Sequence, residues 1–144
     1  VARDTGLSDL QPLLRVTTAI LEPTMFDLYV ESAGAPGENL AGDRDLDGIQ
    51  AVIEYALGLD PTQFNLLPGM VPSGGDYVLS FSKGAEAASD PRVRFAIECS
   101  DDLVVWEDLP ATEDASSISA TLPGPDSGAG RVRKFGRLRI DYQQ

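Results

Sequence analysis

The sequence predicts a mainly β fold with a small α part: an antiparallel β-sandwich or sheet preceded by a helix-loop-helix element. Three observations carry this. Apolar residues recur at helical spacing between residues 23 and 58. From Tyr77 onward they alternate with polar ones, as in half-buried strands. Between the two regimes lies a connector, residues 62–76, holding Pro68, Pro72 and the pair Gly74 and Gly75.

Taken in order, Leu14 to Leu21 reads as a strand bounded by Pro12 and Pro23, so residues 1–22 are expected to be a first strand or a tether from something upstream. The chain opens on Val1 without a charged and apolar leader, so any targeting segment is expected to have been removed. After Pro23, a residue suited to a first helical turn, Phe26, Tyr29, Val30 and Ala33 share one face and Gly34 ends the pattern. That predicts a helix of about three turns. Residues 35–42 form a loop of small residues. Beyond residue 48, the residues Ile49, Val52, Ile53, Ala56 and Leu57 make an apolar stripe that stops at Gly58, with Pro61 just past it.

Between these helices the acidic side chains are spaced for chemistry. A calcium loop takes oxygen ligands at its first, third and fifth positions, a glycine at the sixth, a backbone carbonyl at the seventh and a bidentate glutamate at the twelfth. Asp43, Asp45, Asp47, Gly48, Ile49 and Glu54 fill those places in order. Aspartates ~4 to 6 Å apart repel one another, so the loop opposes its own closure until a cation neutralises it. The helix-loop-helix is therefore read as a calcium-binding element, with Ca2+ the expected cofactor. Ala51 stands at the ninth position and offers no side-chain ligand, so water is expected there.

In the β region, Tyr77, Leu79 and Phe81 predict one strand and Val93, Phe95, Ile97 and Cys99 a second. Further strands are expected around Val104, Val105 and Trp106, over Ile118 to Leu122, and over Phe135 to Tyr142. No helical signal appears among them, so an antiparallel arrangement follows. The elements divide the chain into residues 1–22, 23–62 and 63–144, the last two packed as one domain.

Composition narrows the function. Twenty-three acidic against eleven basic side chains give a formal charge of −12, which disfavours binding to nucleic acid or anionic lipid. No stretch is long and apolar enough for membrane insertion. Histidine is absent, which removes the commonest general base and every Ser/His or Cys/His nucleophile, so no enzyme is expected. Cys99 is the single cysteine, so no internal disulfide staples the fold, and its place among apolar residues predicts burial. Trp106 is a candidate sugar platform, although a lone tryptophan after two valines more often packs in a core. Arg137 and Arg139, with Arg131, Arg133 and Lys134, are candidate partner contacts or the outward face of a strand answering acids such as Glu98, Asp101 or Glu107.

The run from Asp43 to Pro61, with Ile53, Glu54, Tyr55, Ala56, Leu57, Gly58, Leu59, Asp60 and Pro61 at its end, resembles a C-terminal module of large exported proteins of Verrucomicrobia and Planctomycetes. That module has the pattern DxDxDGxxNxxEYxxGxDP, akin to thrombospondin type 3 and dockerin calcium loops, and then a β region with an S-x-D-L-x-x-W turn. Here Ser100, Asp102, Leu103 and Trp106 fit the turn, and Lys134, Phe135, Arg137, Arg139 and Ile140 fit a closing arginine-rich strand. The likeness spans about Phe26 to Tyr142, and it places asparagine where this chain has Ala51. It implies an extracellular or cell-surface location and a non-catalytic, calcium-stabilised structural or anchoring module with a protein partner or parent-protein domains. Two alternatives are a self-assembling subunit of a filament or layer, joined by strand addition through residues 14–21, and a carbohydrate-binding module.

Overall fold

In the computed structural model, which describes residues 22–124 and 135–144, helix α1 (Met25–Ser32) starts from Thr24. The Asp27 backbone N–H donates to the Thr24 hydroxyl, and the Thr24 N–H donates to the Asp27 carboxylate. This reciprocal cap satisfies donors that a helix start otherwise leaves open, which is why Pro23 stands outside the helix and not in its first turn. The helix has eight residues, about two turns and not three. Phe26 and Val30 are its buried side chains.

Helix α2 (Ala51–Leu57) follows the aspartate loop and ends on Gly58 in the left-handed conformation. Its stripe is wider than the spacing indicates. Ala51, Val52, Glu54, Tyr55 and Ala56 are all buried, and Ile49 is buried just before the helix begins. The helix is enclosed because two clusters meet on it: Ala51 and Tyr55 pack with Phe26, Val30 and Ala35, while Ile53 and Leu57 lie against the sheet core.

The remaining elements are β1 (Val71–Ser73), β2 (Asp76–Ser82), α3 (Ala85–Ser89), β3 (Val93–Ser100), β4 (Glu107–Asp108), β5 (Ala111–Glu113), β6 (Ser117–Leu122) and β7 (Phe135–Tyr142). They form a four-stranded sheet, β1-β2-β6-β5, and a three-stranded sheet, β4-β3-β7, with every pairing antiparallel. Leu79 and Phe81 of β2, Ile118, Ala120 and Leu122 of β6, Ile97 and Cys99 of β3, and Leu138 of β7 share one buried core between the sheets. The alternation in β2, β3 and β6 fixes which faces meet, since a slip of one residue would turn every apolar side chain outward.

Three expectations need correction. The strand expected at Val104, Val105 and Trp106 is a turn, with pairing starting only at Glu107. The Asp102 carboxylate accepts from the N–H groups of Val104 and Val105, and the Ser100 hydroxyl accepts from those of Asp102 and Leu103. Side-chain acceptors thus take the donors a strand would have offered its neighbour, and Leu103 adopts φ 64°. A short helix, α3, stands between β2 and β3, where the sequence shows no helical period. The connector contributes β1, which closes a hairpin through Gly74 and Gly75. The strand expected over Leu14 to Leu21, with Arg131, Arg133 and Lys134, lies outside the described residues.

Specific polar and aromatic contacts add to the apolar packing that fastens the helices to the sheets. The Tyr55 hydroxyl donates to Asp90 Oδ2 at 2.8 Å, just before β3, and the Phe26 ring meets Tyr142 of β7 edge-on at 6.1 Å between centroids. Gly84 donates its N–H to the Ala56 carbonyl at 2.8 Å. A Cβ on Gly84 would lie 2.6 Å from the Gly58 nitrogen, so glycine is required there for the backbones to touch.

Candidate metal centre

The loop gathers its aspartates because backbone donors hold them inward. Asp43 accepts from the N–H groups of Asp47 and Gly48, at 3.1 and 2.9 Å. Asp45 accepts from that of Asp47 at 3.2 Å, and Asp47 from that of Ile49 at 2.8 Å. Gly48 turns the chain at φ 88°, a conformation that a side chain disfavours. Carboxylate oxygens of Asp43, Asp45 and Asp47 then lie within 4.8 Å of one another, and this group could hold a metal ion.

Glu54, on α2, is not one of those three, but their charges act on it. It is fully buried, and neither carboxylate oxygen has a hydrogen-bond partner among the described residues. Asp45 Oδ2 is in the same condition. Burial first, then the charges of Asp45, Asp47 and Asp43, push the Glu54 carboxyl up to about 8, against a smaller downward pull from the Asn65 side chain, which lies near it without the geometry of a full hydrogen bond. Asp45 is raised as well, by desolvation and by its aspartate neighbours. A carboxylate in this position costs free energy unless a cation or a proton compensates it. The donor set is all oxygen and anionic, which suits a hard divalent ion. Ile49, whose carbonyl is the expected seventh-position ligand, is buried with its backbone at the turn into α2.

Asn65 was not legible in the sequence. Its N–H donates to Asp47 Oδ2 at 2.8 Å, and its side chain donates to the Asp60 and Gln63 carbonyls, so it ties the connector to the loop. Nothing in an isolated asparagine 18 residues further on signals this.

The second group of candidates forms an ion-pair network on the outer face of β3 and β7. Glu98, 6% exposed, lies between Arg137 Nε and Arg139 Nη1, each at 3.0 Å. Arg139 also reaches Asp108 at 2.6 Å and Asp141 at 3.2 Å, and these acids hold its guanidinium above its ordinary range. The Arg137 guanidinium stacks over the Trp106 ring, 3.7 Å from its centroid. Trp106 is thus half-buried and belongs neither to the sheet core nor to an open platform, because one ring face already carries a cation. No family model, characterised protein or solved structure matches this chain.

Proposed function

We propose that the chain is a non-catalytic, calcium-stabilised structural or anchoring module of an exported surface protein. The observation that carries this is Glu54, a fully buried carboxylate with no hydrogen bond of normal geometry, which feels the charges of three converging aspartates. Ca2+ bound by Asp43, Asp45 and Asp47, the Ile49 carbonyl and Glu54 would relieve repulsion within the loop and compensate the buried charge at once. Because Glu54 and Tyr55 are neighbours on α2, the ion would also fix the helix that joins α1 to the sheets.

A millimolar external calcium concentration suits such a role. With a dissociation constant of ~10 μM, occupancy adds ~2.7 kcal/mol to folded-state stability, a large share of a margin of roughly 5 to 15 kcal/mol. The test is calcium titration by calorimetry, together with melting in calcium and in EGTA. Heat of binding and a higher melting temperature in calcium are expected, and their joint absence would reject the reading. The sugar-binding alternative gains nothing from a tryptophan whose ring is stacked on Arg137, and the strand-addition alternative concerns residues outside those described.

A further inference from the structure

Beside the metal loop, apolar side chains stand in water. Leu46 is 82% exposed, Phe64 68%, Leu66 83% and Val71 62%, with Leu67 and Met70 partly open between them. Scattered exposed leucines are ordinary, but five large apolar side chains exposed within the eight residues 64–71 of an acidic chain make a run that another surface can cover. The patch is mechanically joined to the loop. Asn65, between Phe64 and Leu66, donates its N–H to Asp47 Oδ2, so the fifth-position carboxylate holds the segment in place.

We propose that residues 64–71 and Leu46 form a calcium-set docking surface for another protein domain, one whose contact face is apolar at its centre and basic at its rim. The inference rests on the calcium reading. It commits to a basic rim because Asp43, Asp45, Asp47 and Glu54 carry four negative charges, of which a bound dication cancels two. Asp60 adds another, and Arg44 is the one basic residue in the stretch 43–71. A second copy of this chain is a poor occupant, since a two-fold contact would set two acidic loops together on molecules of net charge −12. An anionic bilayer is disfavoured on the same ground. Strand β1, which begins at Val71, pairs only with β2 among the described residues, so its outer edge adds backbone donors and acceptors to the surface.

The probes are two synthetic peptides of equal positive charge, an amphipathic leucine/lysine helix and a serine/lysine counterpart. They are titrated against the full chain in calcium and in EGTA, with melting curves on the same samples. The leucine/lysine peptide is expected to bind in calcium at least about tenfold more tightly than its counterpart, and to lose about tenfold in EGTA and in a Phe64→Ser, Leu66→Ser variant. That variant should retain the calcium-dependent melting shift; if it does not, Leu66→Gln alone, at the most exposed position, replaces it. Equal binding of the two peptides, or undiminished binding by the variant, would overturn the proposal in favour of charge alone. Calcium-dependent self-association in sedimentation would overturn it in favour of a second copy. A melting shift with no calcium effect on peptide binding rejects the docking surface and leaves the calcium site standing, whereas no melting shift rejects both.

Discussion

Glu54→Gln separates the cost of the buried charge from the benefit of the ion. In metal-free protein the folded-state carboxyl is raised from 4.5 to about 8. The fold therefore binds this proton more tightly than the unfolded chain does. The stabilisation is complete below pH ~4.5 and is lost as pH rises through about 8. Chemical denaturation in EGTA across that window should show stability falling with pH in the parent and a flatter profile in Glu54→Gln. Calcium should flatten the parent's profile too, because the ion takes over from the proton. The same variant should bind calcium roughly tenfold or more weakly by calorimetry, since it loses the twelfth-position charge. At this scale the sequence was informative where the loop carboxylates follow one another within a single turn. It was silent on Asn65, which reaches Asp47 only because the chain doubles back, and on Arg137, whose stacking on Trp106 depends on a turn made by Ser100 and Asp102.

Helix α2 is the element on which the rest converges. Its apolar stripe was legible from spacing, but its enclosure on nearly every side was not, because that requires α1 and the two sheets to be present together. Two substitutions test the joint. Gly84→Ala puts a Cβ 2.6 Å from the Gly58 nitrogen, and backbone on both sides leaves little room to yield; a loss of about 1–3 kcal/mol is expected in urea denaturation. Tyr55→Phe removes the donor to buried Asp90, leaving Oδ2 without it, for an expected loss of about 1–3 kcal/mol. Both changes should also weaken calcium binding, since they loosen the helix that carries Glu54. Elsewhere local competition overrides propensity: Val104 and Val105 have strand-forming side chains, yet the Asp102 carboxylate captures their N–H groups, and α3 is too short to show a helical period.

Across the whole molecule the ion's effect should be uneven. At free calcium about a hundredfold above the dissociation constant, the melting temperature should rise by roughly 10 °C relative to EGTA. Hydrogen exchange in EGTA should quicken over Ala51–Leu57 and the loop, while amides in β2, β3 and β6 stay protected, because the sheet core of Leu79, Ile97 and Leu122 does not include the loop. Uniform quickening would assign the ion to global stability instead. By itself the sequence determined a mainly β fold with antiparallel strands and a small α part, the faces of β2, β3 and β6, and the spacing of the carboxylates in the loop. All of these are set by residues near one another along the chain, through side-chain period, turn geometry and charge spacing. Only the tertiary structure decided the strand order within the two sheets, the Gly58 and Gly84 backbone contact, the connector's hold on Asp47 and the full burial of Glu54. Those depend on segments far apart in sequence arriving at one place, which no local pattern encodes.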